Sequence, residues 1–386
     1  MTPHSTRSPD QPLQVLHIGP RPDYGRGGGV DAAAWPLLTA QVAEGTDVAL
    51  LVLGDLDEAA RAEAARIGVA ITAAPEGRLE TLSADGARAI KRLRPDIIHL
   101  HSVFIPAHAQ IARIVRSSGI PYIVTPHGGL NLWRGRLKKA LYGAMVEKPY
   151  FRGAQTILVL TERERQVVQE WLGGRNSPPP CLEVPNSIRP LSPETQLWTL
   201  PDRPQLVYLG RFDVVKKGLD RLVEIAKLMP DVEVHAYGSA ARSELAQFRQ
   251  LCRRGLPANM SFRAPVYGDE KTAAYTSATI YVQPSRDEGF GMSVAEAMRL
   301  AVPVAVSGGC DLAATVARDG LGMLLPDDPV HAARDLASAL ADPARLRQWS
   351  QAGREWTIQA LSPKVVAQRT IAVYEELLSG AAPRRQ

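Results

Sequence analysis

Cysteine is scarce: the 386 residues hold three, Cys181, Cys252 and Cys310, with neither pairing nor metal-ligand spacing. So sparse and odd a set excludes a disulfide framework and fits buried thiols in a reducing cytoplasm. Long apolar runs are missing as well. None approaches the ~20 residues that a membrane helix needs. The polar segment 1–14 has no apolar h-region, so no signal peptide is expected. Strong charge of one sign is also absent. A net charge of +5 is too mild to argue for nucleic acid, and no such partner is expected. What remains, 45% hydrophobic and 22% charged, is the composition of a globular protein with room for two domains.

Short β-branched runs alternate with helix-length amphipathic segments. In the first half the strand candidates cover 13–18, 47–53, 69–72, 96–100, 121–125 and 156–160. A stretch dense in Pro and Gly follows over 173–204. The rhythm then restarts at 205–209, 232–237, 260–263, 279–283, 303–306 and 322–325. This alternation predicts mostly parallel sheets with helices on both faces, and near-continuous apolar strands support it. The fold class expected is α/β, two doubly wound domains facing each other across a cleft. Ligands of such sheets bind outside the carboxyl ends of the strands.

Two segments carry the chemistry. Gly210-Arg211-Phe212-Asp213-Val214-Val215-Lys216-Lys217-Gly218 sets three cations in a glycine-bounded loop between a strand and a helix. Fixed cations and the free N–H groups of a helix start suit a diphosphate. Glu288-Gly289-Phe290-Gly291-Met292-Ser293-Val294-Ala295-Glu296 places two carboxylates across a glycine turn that enters a helix. The glycines let backbone amides approach a ligand closely.

The linked pair resembles the retaining glycosyltransferases of family 4 (group 1), which have the GT-B fold of two Rossmann-like domains. The resemblance covers nearly the whole chain after about residue 12. It implies a flexible terminus (1–12), an acceptor domain (13–185), a linker (186–204), a donor-nucleotide domain (205–362) and a C-terminal helix (363–386) packing back on the acceptor domain. It implies that Arg211 and Lys217 bind the donor diphosphate and stabilise leaving-group charge. Glu296 would accept from the ribose hydroxyls. Glu288, Gly289, Phe290, Gly291 and Ser293 would hold the donor sugar, with Glu288 also contributing to catalysis. His127, in Thr125-Pro126-His127-Gly128-Gly129, would lie beside the sugar. Gly28 and Gly29 would lie beside the phosphates or the acceptor. The substrate would be a UDP- or GDP-type sugar, the acceptor a glycan or a lipid-linked glycan, and no cofactor or metal would be needed.

Other features keep their alternatives. Asp55-Leu56-Asp57 looks like a metal motif but sits where Asp caps a helix. His99 and His101 alternate onto one strand face, with no third ligand evident; His99 reads as packing and His101 as facing the crevice. The basic amphipathic stretch 133–152 begins Trp133, Arg134, Arg136, Lys138, Lys139. It is either a solvated face or a dock for acceptor or anionic membrane, which would place the protein peripherally on the inner face of the plasma membrane. Departures from the family pattern stand at Ser187, Arg189, Ala264 and Asp311. Rival readings are a nucleotide-sugar epimerase and a non-catalytic sugar-nucleotide binder.

Overall fold

The computed structural model describes residues 11–19, 29–74, 82–130, 140–173 and 178–380. The chain divides into two compact units. One comprises the described residues up to Arg189 together with those from Ser362 onward; the other is Pro190–Leu361.

The first unit is built on a seven-stranded, all-parallel sheet in the order β3-β2-β1-β4-β5-β6-β7. Its strands are β1 Gln14–Ile18, β2 Asp47–Leu53, β3 Ala70–Ala74, β4 Ile97–His101, β5 Tyr122–Thr125, β6 Thr156–Val159 and β7 Cys181–Glu183. Chain order reverses between β1 and β4, whose register pairs His17 with His99. One face packs Leu16, Ile18, Ile98 and Leu100 against the helices Pro106–Ser117 and Glu162–Leu172. The other packs Val15, Ile97 and Ile123 against Leu37, Val366 and Tyr374, so the helix Pro363–Leu378 closes this unit's core. β7 lies in the stretch read as a Pro-rich break. Cys181 follows three prolines, and it pairs on one side only, at the sheet edge, where missing N–H groups are tolerated.

The second unit repeats the plan with six parallel strands in the order β10-β9-β8-β11-β12-β13. They are β8 Gln205–Leu209, β9 Glu233–Tyr237, β10 Met260–Arg263, β11 Ile280–Gln283, β12 Val304–Ser307 and β13 Met323–Leu325. Here the order reverses between β8 and β11, which pair through Ile280–Leu206 and Tyr281–Val207. The loops after these two strands must therefore be neighbours, although some seventy residues separate them. The segment expected to be a linker is tied down at Trp198. Its N–H donates to the Leu300 carbonyl at 3.0 Å, and its indole Nε1 donates to the Ala278 carbonyl at 2.7 Å.

Among the described residues no helix is long and apolar enough to cross a membrane. Trp133, Arg134, Arg136, Lys138 and Lys139 lie outside the described residues. The remainder of that stretch is helical, with a π-helical turn at Gly143–Glu147 followed by Lys148–Arg152. Its later basic residues engage their own unit. Lys148 Nζ sits 5.6 Å from the Trp171 ring centre, and Arg152 donates to the carbonyls of Leu172 and Gly173.

Candidate active site

In the second unit the loop after β8 is held by its own polar groups. The Asp213 carboxylate accepts from Lys216 N–H at 3.0 Å, and the Asp213 carbonyl accepts from Lys217 N–H at 3.0 Å. The Tyr208 hydroxyl donates to the Arg211 carbonyl at 2.9 Å. Gly218 then starts the helix Leu219–Leu228 in a left-handed conformation, φ 68°. A Cβ there would fall 2.0 Å from the Pro284 carbonyl oxygen, so only glycine lets this loop meet the one after β11. The two loops are laced together: Arg286 and Asp287 donate their N–H groups to the Lys216 carbonyl at 2.9 and 3.2 Å.

This lacing brings both sequence motifs to one place. Lys217, nearly buried, donates to the Glu288 carboxylate. Lys216, half-buried, pairs with Asp287 at 2.9 Å. Arg211 is exposed. Glu288 also accepts from the Gln283 amide at 3.1 Å, and Ser293 donates to Gln283 Oε1 at 3.2 Å. Gln283 additionally meets the Tyr281 and Ser285 hydroxyls at 2.6 and 2.7 Å. It is a hub that motif spacing did not reveal; the available signal was a polar side chain ending a fully buried strand. Gly291 is left-handed, φ 84°, and a Cβ there would meet Cys310 Sγ at 2.7 Å. It opens the helix Met292–Arg299, whose first-turn N–H groups lack intrahelical partners. Gly289 and Phe290 lie in the turn just before it, Phe290 buried. Glu296, one turn into that helix, is gripped by Lys271 Nζ at 2.7 Å and by the Tyr275 hydroxyl at 2.8 Å. Neither partner was foreseen, since both come from the separate helix Gly268–Thr276.

In the first unit His127 stands just past β5 with φ 53°, a left-handed position followed by Gly128 at φ 72°. Buried Glu164 fixes this corner, accepting from Gly128 N–H at 2.5 Å and Leu160 N–H at 2.7 Å. Both ring nitrogens of His127 have partners within the unit: Nε2 lies 3.0 Å from His101 Nδ1, and Nδ1 lies 3.0 Å from Asn186 Oδ1. His101 is therefore not open to a crevice. It is 1% exposed and stacked on His99 with ring centres 4.0 Å apart, which keeps the same-face expectation for the pair. A third histidine does join them. The ligand atoms of His17, His99 and His101 lie within 4.8 Å of one another. Each of these rings is engaged through both nitrogens in hydrogen bonds, so a metal would have to displace protein partners. Asp57 serves as the cap of the helix Glu58–Arg66, accepting from Ala60 N–H at 2.7 Å. Gly29 begins the helix Gly29–Ala43; Gly28 lies outside the described residues.

Two parallel doubly wound sheets, with basic and acidic motif loops at the switch point of the second, give the GT-B architecture. The chain matches the model of the glycosyl transferase 4-like domain over residues 28–186 and that of the glycosyl transferases group 1 over 196–356. It belongs to this glycosyltransferase family. It is similar to the MMP alpha-(1->4)-mannosyltransferase of Mycolicibacterium hassiacum, 23% identical over 80% of this chain and 77% of that protein. Among solved structures, the sucrose-phosphate synthase of Thermosynechococcus elongatus has a TM-score of 0.76 at 20% identity, covering 96% of this chain and all (100%) of that one. Alr3699/HepE of Anabaena, solved in complex with UDP-glucose, has a TM-score of 0.74 at 14% identity, covering 94% and 100%.

Proposed function

We propose that this protein is a retaining, metal-independent hexosyltransferase. It takes a sugar from a UDP- or GDP-type nucleotide sugar and passes it to an acceptor hydroxyl on a glycan or lipid-linked glycan. The setting we infer is bacterial surface polysaccharide or lipopolysaccharide assembly, on the cytoplasmic side of the plasma membrane, with the basic stretch from Trp133 onward touching anionic lipid. The observation that carries the reading is the meeting of Lys217 with Glu288 where β8 and β11 adjoin. The relative solved with UDP-glucose and the mannosyl-transferring relative support a nucleotide-sugar donor.

The chemistry follows from charge. Breaking a sugar–phosphate bond leaves negative charge on the terminal phosphate. Fixed cations facing that oxygen stabilise the transition state more than the ground state. Arg211 and Lys217 are the cations, and the first-turn amides of Met292–Arg299 add aligned donors. An arriving diphosphate replaces Glu288 as counter-ion to Lys217. Glu288 is then released to accept from sugar hydroxyls, with Gly289, Phe290, Gly291 and Ser293 around it. Glu296, already oriented by Lys271 and Tyr275, receives the ribose hydroxyls. His127 is assigned a place beside the sugar, and Gly28 and Gly29 one beside the phosphates or the acceptor, on the family resemblance alone. The leaving phosphate takes the acceptor proton on the same face of the sugar, so no protein general base is assigned.

A thermal-shift screen of UDP-, GDP- and ADP-sugars, each with and without EDTA, tests the donor. A ligand at a hundred times its Kd adds about 2.7 kcal/mol to stability. No shift with any of them, and no transfer in their presence, would remove the reading; loss of the shift in EDTA would remove metal independence. The anomeric configuration of the product, read by NMR, tests retention. Liposome sedimentation tests the membrane contact, which requires salt-sensitive binding to anionic but not neutral vesicles.

A further inference from the structure

A line of three imidazoles crosses the core of the first unit from Gln41 to Asn186. Gln41 Oε1 lies 2.8 Å from His17 Nε2, and His17 Nδ1 lies 2.9 Å from His101 Nε2. His101 Nδ1 lies 3.0 Å from His127 Nε2, and His127 Nδ1 lies 3.0 Å from Asn186 Oδ1. All four are hydrogen-bond distances, so each contact needs one proton between its two atoms. A neutral imidazole has one N–H and one bare nitrogen, and an amide oxygen has no proton to give. Three neutral rings thus bring three protons to four contacts, and the line is one proton short.

A fourth proton would make one ring a cation, which the surroundings oppose. Burial lowers the His17 pKa to about 3 and that of His127 to about 4, and holds that of His101 well below its ordinary value. Turning one terminal amide end for end supplies the missing donor without added charge. With Gln41 turned, its Nε2 donates to His17, and every ring in the line carries its proton on Nδ1. With Asn186 turned, every ring carries it on Nε2. Any mixture sets two N–H groups, or two lone pairs, against each other somewhere along the line. The side branch accommodates both states. Gln41 Nε2 lies 3.3 Å from the Tyr374 hydroxyl, which is 2.7 Å from His99 Nδ1, and His99 Nε2 is 2.7 Å from the Thr125 hydroxyl. Each hydroxyl both donates and accepts.

We propose that His17, His101 and His127 switch their ring protons in concert, so that Gln41 at the far end of the line sets the tautomer of His127. Gln41, His17 and His101 are then positioning residues: they decide which nitrogen of His127 carries hydrogen. What this means for sugar transfer rests on the role of His127 proposed above; the coupling itself does not.

The test is made on the full chain with ¹⁵N-labelled histidine, its ring tautomers read by long-range ¹H–¹⁵N NMR, so it is independent of any transfer assay. In the native protein the three rings must share one tautomer, all Nδ1–H or all Nε2–H. Two different tautomers along the line would overturn the proposal whether or not any variant folds. Gln41→Glu and Asn186→Asp each replace an amide with a carboxylate that only accepts. The first demands a proton on His17 Nε2, the second on His127 Nδ1. The substitution that opposes the resting state should reverse all three rings, including the most distant; the other should leave all three as they were. A response confined to the adjacent ring, a proton captured by that ring alone, or a far ring unmoved in both variants would defeat the idea.

Discussion

The Lys217 ammonium donates to the Glu288 carboxylate across 71 positions of sequence. Each side chain thereby holds the other in place before any ligand arrives. Removing the lysine leaves a largely buried carboxylate whose remaining side-chain donor among the described residues is the Gln283 amide, and this separates the two cations of the site. Lys217→Ala should cut turnover by about tenfold or more and also lower stability by about 1–3 kcal/mol. Arg211→Ala, at an exposed position, should cost a similar factor in turnover with no change in melting temperature. Steady-state kinetics and thermal melts of both variants decide it. Near-normal turnover in the two together would eliminate the phosphate clamp.

Glu296 has two partners, and one can be deleted with almost no change of shape. Tyr275 is fully buried, and its hydroxyl donates to one Glu296 oxygen while Lys271 holds the carboxylate as well. Tyr275→Phe removes one hydrogen bond, worth about 1 kcal/mol, or roughly fivefold. If Glu296 grips the ribose equally in the ground state and the transition state, KM for the donor rises by that factor and kcat holds. A fall in kcat at constant KM would instead place Glu296 at the reacting bond.

The inner strands were legible because they are buried on both faces and read as apolar runs between turn residues. The expected ranges 47–53, 205–209 and 260–263 coincide with β2, β8 and β10, and most others shift by a residue or two. The edge strand β7 was hidden by the prolines before it. At the site, Arg211, Lys217, Glu288 and Glu296 announce themselves through local spacing. Gln283, Lys271, Tyr275 and Glu164 do not, because their partners are brought to them by strand order and helix packing. The histidines are the clearest case. Alternation puts His99 and His101 on one face, but only the pairing of β1 with β4 brings His17 beside them.

Close approach of the loops after β8 and β11 depends on the missing side chain of Gly218. Gly218→Ala would press a methyl against the Pro284 carbonyl, at a left-handed φ of 68°. Gly255 shares a left-handed φ of 86° with open space around it, so Gly255→Ala isolates the backbone cost alone. We expect about 1 kcal/mol for Gly255→Ala and at least about 2 kcal/mol more for Gly218→Ala, with activity lost. Equal melting temperatures for the two variants would mean that the loop contact is dispensable.

Buried Glu147 makes stability fall as pH rises. One carboxylate oxygen accepts from Phe104 N–H at 2.7 Å, the other has no hydrogen-bond partner among the described residues, and burial pushes the pKa up to about 7. The folded state therefore holds this proton more tightly than the unfolded chain, whose reference value is 4.5. Below that value the carboxyl is neutral in both states and costs nothing. Between it and about pH 7 the folded state must retain a proton that the unfolded chain releases, so stability is progressively lost, reaching about 3 kcal/mol above the folded pKa. Buried His17 and half-buried His127 act in the opposite sense. Their lowered pKa values preserve stability above the unfolded histidine value of 6.5, and that stability drains away as pH falls toward about 4 and then 3. Glu147→Gln should abolish the alkaline loss while leaving the acid limb untouched. Thermal melts between pH 5 and 8 should show native and variant converging at the acid end and separating until about pH 7, where the gap levels off, with the variant the more stable. Parallel curves across that range would mean that Glu147 is ionised in the folded protein throughout.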